Sequence, residues 1–222
     1  MVTQATEPQR DCNLCERLVE FRHTHRKLNP DFHNAPVPTW YPEANVGGKN
    51  SVQLMVIGMA PGLKGANRTG RPFTGDWAGD LLYSTLCEFG FAEGRYQADP
   101  EDTLKLRDCA ITNAVRCVPP QNKPIGQEIN ACRPFLVNSL HGLKNLKLLI
   151  TLGKISHDST ARSLGVRVAS VPFGHNRQFE MDRYAVLSSY HCSRYNTNTG
   201  RLTEAMFHDV FRTARNLVDQ HK

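Results

Sequence analysis

Val52-Gln-Leu-Met-Val-Ile57, closed at once by Gly58-Met-Ala-Pro-Gly62, is the stretch that decides the fold. A short apolar run rich in branched residues and ended by glycine and proline reads as a buried strand. Three more runs repeat the pattern: Cys109-Ala-Ile-Thr112, Leu146-Lys-Leu-Leu-Ile-Thr151 and Tyr184-Ala-Val-Leu-Ser188. Between them the apolar residues recur at helical spacing: Leu81, Leu82, Thr85, Leu86 and Phe89, then Ile129, Cys132, Leu136, Leu140 and Leu143, then residues 155–164. In a final helix, Thr203 serves as cap, Leu202 and Phe207 as a hydrophobic staple, and Met206, Val210, Ala214 and Leu217 as the apolar stripe. Alternating strands and helices predict an α/β fold, a parallel central sheet covered on both faces. Residues 29–50 and 92–102 read as long surface connections.

With 222 residues and 40% hydrophobic content the chain suits one domain, 1–222, with a sizeable core. A net charge of +6, a pI near 9.0 and arginines at Arg68, Arg71, Arg116, Arg194 and Arg201 favour a polyanionic partner over a basic protein that binds nothing. No segment approaches the ~18 apolar residues of a membrane span, so no membrane partner is expected. Polar residues 1–10 and an odd count of seven cysteines suit a reducing, cytoplasmic compartment.

Chemistry-bearing residues gather where strands end. Cys12 and Cys15 are spaced C-x2-C, and Cys117 and Cys132 C-x14-C. The wide second pair suits a four-cysteine iron-sulfur cluster better than a zinc ribbon, with unliganded buried thiols as the bland reading. The glycines around position 60 carry neither nucleotide-binding signature, G-x-x-x-x-G-K-[ST] or G-x-G-x-x-G. Asp76 is placed to cap the helix holding Leu81, and Phe73 is either core or a plate for a base. Asn113 and Asn122 each offer the donor and acceptor that a nucleobase edge requires, although turn formation also explains Asn122. His191 follows an apolar run and precedes a polar, arginine-bearing loop, where it is either structural or turned to a ligand. The cysteine-phosphatase pattern fails because position 198 is asparagine, and the zinc-deaminase motifs H-x-E and P-C-x-x-C are absent.

Taken in order, Cys-x-x-Cys, Gly-Met-Ala-Pro-Gly, Asn-Arg-Thr-Gly-Arg-Pro-Phe-Thr-Gly-Asp, Val-Arg-Cys-Val-Pro-Pro-Gln-Asn-Lys-Pro, Cys132 and His-Cys-Ser-Arg-Tyr-Asn-Thr-Asn-Thr-Gly-Arg-Leu-Thr resemble the family 5 uracil-DNA glycosylases. The resemblance runs from Cys12 to the last helix. It implies a three-layer α/β/α sandwich with a four-stranded parallel sheet and a [4Fe-4S] cluster on Cys12, Cys15, Cys117 and Cys132. The implied activity is hydrolytic removal of uracil and other deaminated bases from DNA by a monomer at the nucleoid. It further implies a catalytic group of Asp76, Asn122 and His191, a base site of Ala60, Gly62, Phe73 and Asn113, and DNA contacts at Arg68, Ser193, Arg194, Tyr195 and Asn196. Met59 stands where family 4 enzymes carry glutamate, which throws the work at the sugar onto Asp76. Cys192 stands where many relatives outside family 5 carry proline. Two alternatives are a uracil-specific enzyme of the family 4 type and a non-catalytic metal-containing DNA-binding module.

Overall fold

The computed structural model describes residues 5–220; residues 1–4 and 221–222, the ends of the expected domain, lie outside the described residues. Helix α1 (Glu16–Leu28) precedes strand β1 (Leu54–Gly58). The chain continues through α2 (Ala66–Thr69), α3 (Trp77–Glu88), a hairpin of β2 (Ala92–Glu93) and β3 (Lys105–Leu106), and β4 (Cys109–Asn113). Then come α4 (Gly126–His141), β5 (Leu148–Leu152), α5 (Lys154–Ser163), β6 (Arg177–Met181), β7 (Tyr184–Ser189), α6 (Arg194–Asn198) and α7 (Glu204–Asp219).

The central sheet has the order β4-β1-β5-β7-β6. The four expected strands pair in parallel, and β6 adds a fifth, antiparallel to β7. Successive side chains of a strand face opposite sides of the sheet, so each of the four sends alternate residues into two cores. Leu54, Val56, Ile111, Ile150 and Leu187 pack with Leu82 and Leu86 of α3 and Phe207, Val210 and Ala214 of α7. Met55, Ile57, Ala110, Leu149 and Val186 pack with Leu136 and Leu140 of α4 and Ala161 of α5. The result is the α/β/α layering expected. Thr203 caps α7, its side chain accepting from the Met206 amide at 3.2 Å, and Leu202 and Phe207 are both buried.

Both long connections do more than cross the surface. Trp40 exchanges two backbone hydrogen bonds with Ile111, each 2.9 Å, and Ala35, Val37 and Thr39 are buried. Residues 29–50 thereby cover part of the edge of β4, which a bare edge strand would leave open to pairing. Residues 92–102 lead to Asp102, whose carboxylate takes Arg71 through two hydrogen bonds of 2.8 Å.

The connection after β1 runs to α3 on one face of the sheet, and that after β5 runs to α5 on the other. Between two such neighbouring strands a crevice opens at their carboxyl ends, where open α/β sheets bind ligands.

Candidate active site

A cleft of about 560 Å³ occupies that crevice, and the carboxyl ends of β1, β4, β5 and β7 all contribute to its wall. Of the twelve expected catalytic, base-site and DNA-contact residues, Ala60, Gly62, Phe73, Asp76, Asn113, Asn122, His191, Ser193, Arg194 and Asn196 line it, and so do Met59 and Arg201. Arg68 and Tyr195 do not: Arg68 is exposed, its Nε donating to the Lys64 carbonyl, and Tyr195 is 72% exposed.

Close backbone approach lets Phe73 and Asn113 converge. A Cβ on Gly58, the last residue of β1, would lie 2.3 Å from Asn113 Oδ1 and 2.5 Å from Phe73 Cζ. Only glycine leaves room for both side chains at that strand end. Phe73 holds a left-handed backbone (φ 55°), which costs a non-glycine residue of order 1 kcal/mol and must be imposed by its surroundings. The brace is visible. Buried Arg71 pairs with Asp102, donates to Thr74 Oγ1 at 2.7 Å and lies 4.6 Å over the Trp40 ring, while Tyr83 hydroxyl donates to the Pro72 carbonyl. Arg71 and Arg116 are therefore not among the cations free to meet a polyanion: Arg116 is buried against Thr39 and Ser139.

Asp76 is both cap and cleft residue. Its Oδ1 accepts from the amides of Ala78 (3.1 Å) and Gly79 (3.3 Å) at the start of α3, the commonest role of such a residue. Oδ2 is turned toward the glycine-rich loop, where a Cβ on Gly65 would come within 2.4 Å of it. Burial raises the carboxyl pKa above the ordinary value, and the two capping amides pull it back only in part.

His191 stacks on Phe73, ring centroids 5.9 Å apart and planes 28° from parallel. A margin of the residue opens to the cleft, but protein surrounds the ring in depth, and desolvation lowers its pKa to about 4. The imidazole is therefore neutral near pH 7, with a buried Nδ1 that has no hydrogen-bond partner. Its loop is pinned from both sides: Asn196 Nδ2 donates to the His191 carbonyl at 2.8 Å, and Cys192, fully buried, points Sγ at the Ala78 carbonyl at 3.5 Å. Cys192 thus ties the His191 loop to the helix that Asp76 caps, a restraint supplied by burial where a proline would supply it covalently.

Asn122 sits exposed at the cleft rim with φ 55°, the same φ that Gln121 before it holds, so the turn and the cleft position coexist. Sequence reading missed Trp77, Lys154, Phe173 and Tyr190, which also line the cleft. Two had a signal: Gly153-Lys154 directly follows a strand, and Tyr190 directly precedes His191.

Away from the cleft, Cys12, Cys15, Cys117 and Cys132 border one small cavity beside Leu18 and Arg22 of α1. Burial pushes the Cys15 thiol up to about 11 and Cys117 to about 12, helped in each case by the neighbouring cysteines. Arg22, itself buried, directs Nη1 at Cys117 Sγ (3.9 Å) and donates through Nη2 to the Cys12 carbonyl (2.9 Å). Among the described residues, no group of three or more His, Cys, Asp or Glu side chains closes tightly enough to hold one metal ion. No helix among them is long and apolar enough to cross a membrane.

Comparison with known proteins agrees with this layout. The sequence profile of the Uracil DNA glycosylase superfamily matches residues 45–215. The chain is 38% identical to the type-5 uracil-DNA glycosylase of Thermus thermophilus, over 93% of this chain and 94% of that one. It is 33% identical to the type-5 enzyme of Pyrobaculum aerophilum, over 92% and 88%. A type-4 uracil-DNA glycosylase of the same organism is 34% identical, over 54% of each chain. The type-5 proteins match along almost their whole length and the type-4 protein along about half. The chain belongs to the uracil DNA glycosylase superfamily, in its type-5 branch.

Proposed function

We propose that this protein hydrolyses the N-glycosidic bond of uracil, and of other deaminated bases, in DNA, the step that opens base excision repair. The observation that carries the reading is that Asp76 and His191 line one cleft at the carboxyl rim of the sheet, with Phe73 stacked on the imidazole. Cleaving this bond separates a sugar cation from a base anion. Asp76 supplies a negative group through Oδ2, steadying the cation and orienting water, while its other oxygen holds the helix. His191, neutral, donates a hydrogen bond to uracil O2, where charge develops in the transition state. Neither role needs a covalent intermediate. Phe73 is the plate on which the base rests, Asn113 reads its edge, and Asn122 closes over from the rim. Extruding a nucleotide costs a few kcal/mol, least at a mispair, which is the state in which a deaminated base is found. Contacts from Arg194 and Asn196 to the strand offset that cost.

Met59 lines the cleft where a family 4 enzyme resembling this one would place a carboxylate, and this supports a range wider than uracil. The four cysteines would hold a [4Fe-4S] cluster. All four border one cavity, and buried Arg22 beside Cys117 would balance part of the charge that thiolates bring. Such a cluster would staple α1, the loop after β4 and α4 together; the residues of the cleft carry the reaction. We read the chain as one domain that acts as a monomer on nucleoid DNA in the cytoplasm.

The test is a panel of duplex oligonucleotides, each with one deaminated base, incubated with protein whose visible spectrum has been recorded. Release of free uracil together with at least one deaminated purine is expected. Binding to mispaired DNA without release of any base would overturn the reading.

A further inference from the structure

Trp77 is the first residue of α3, next in sequence to Asp76, and yet its side chain is 45% exposed at the cleft. Tryptophan is highly buried on average, so a fixed, half-open indole beside a reaction centre asks for a partner. The ring is held in place: its Nε1 donates to Thr197 Oγ1 of α6 at 3.0 Å. Arg194 of the same short helix sets its guanidinium carbon 5.0 Å from the ring centroid, within cation–π range. An exposed aromatic with an arginine against it is how proteins bind single nucleobases without reading their sequence, since every base has a π face. Phe73 and His191 already account for the extruded base inside the cleft. The indole stands outside that pair, one residue from the carboxylate placed at the sugar.

We propose that Trp77, with Arg194 against it, is the stacking platform for the base next to the extruded nucleotide on the same strand. The proposal rests on the glycosylase reading of the cleft. A stacked neighbour fills part of the gap that extrusion leaves, and it does so for any sequence context.

The chain has two tryptophans, and the other, Trp40, packs against Tyr83 and Arg71 in the body of the fold. Trp40→Phe protein therefore reports on Trp77 alone. The probe is a duplex with a tetrahydrofuran abasic analogue opposite guanine, which the enzyme cannot cut. Indole emission of Trp40→Phe protein should quench on titration with this duplex, and that of Trp77→Phe protein should not. Affinity for the same duplex, read by anisotropy, should fall about 5- to 150-fold in Trp77→Ala, the range that loss of one base–aromatic stack gives. Trp77→Phe should retain affinity within about threefold because a ring remains, an order-of-magnitude expectation from the same stacking range. Thr197→Val removes the indole's acceptor together with the hydroxyl's own bonds to the Ser193 and Arg194 carbonyls, leaves the ring in place, and should also stay within about threefold.

Unquenched emission at saturating duplex would overturn the platform, as would wild-type affinity in Trp77→Ala. So would a loss in Thr197→Val equal to that in Trp77→Ala, which would make the indole a clasp for α6 and nothing more. Uracil release by wild-type protein, run in parallel, keeps the two claims apart. Release with unchanged Trp77→Ala affinity refutes the platform alone; quenching without release refutes the glycosylase reading alone.

Discussion

Replacing Asp76 by asparagine and by alanine separates the helix cap that its carboxylate forms from the catalytic role we propose for it. Oδ1 caps α3 through the amides of Ala78 and Gly79, and Oδ2 faces the glycine-rich loop of the cleft. Asparagine caps as well as aspartate, so Asp76→Asn keeps the helix start and removes the charge; alanine removes both. Loss of such a cap costs about 1 kcal/mol, which in a chain of this size lowers Tm by roughly 2–4 °C. Loss of a group that acts in the transition state costs on the order of 10²-fold in rate, equivalent to about 2.7 kcal/mol. Asp76→Ala should therefore be slower and less stable, and Asp76→Asn as slow but as stable as wild type. The assays are single-turnover release of uracil from a duplex with one U·G pair and thermal melting of the same preparations. Because burial raises the Asp76 pKa, the wild-type rate should begin to fall with acidification at a higher pH than a free aspartate would dictate. That component should vanish in Asp76→Asn. An asparagine variant with near-normal turnover would reduce Asp76 to a helix cap and refute the assignment.

His191→Ala should slow release on the order of 10²-fold with DNA affinity largely kept, as measured by single-turnover kinetics beside anisotropy. His191 has its pKa lowered from 6.5 to about 4 in the fold, so the unfolded chain binds more protons between those values. Native stability should thus decline as pH drops from about 6.5 toward 4, and less so in His191→Ala, by urea unfolding across that window. Gly58→Ala drives a methyl against Asn113 and Phe73 and should cost about 1–3 kcal/mol of stability while raising KM more than it lowers kcat. Cys117→Ser should bleach the visible absorption and lower Tm; a colourless, fully active wild-type protein would refute the cluster.

Legibility in the sequence followed burial. The four parallel strands are covered on both faces, so each appears as an uninterrupted apolar run, and the amphipathic α7 is equally plain. Strand β6 escaped because an edge strand facing solvent has no such run: Gln178 and Glu180 are exposed and Met181 alone is buried. Helix α1 escaped for a similar reason, burying only Leu18 and Arg22. Ten of the twelve site residues expected from motif order line the one cleft. What charge could not disclose was which arginines are available. Arg71 and Arg116 are consumed by Asp102, Thr39 and Ser139, partners remote in sequence, whereas Arg194 stands at the cleft. Trp77 carried no local pattern at all, since the role we propose for it rests on Thr197 and Arg194, more than a hundred residues away.

The most direct test is the crystal structure of the Asp76→Asn variant bound to a duplex containing one U·G pair. The account predicts uracil drawn out of the helix, stacked on Phe73, its edge on Asn113, its O2 within hydrogen-bond reach of His191 and its sugar beside position 76. A uracil left stacked in the duplex, or seated against any other surface of the protein, would contradict it.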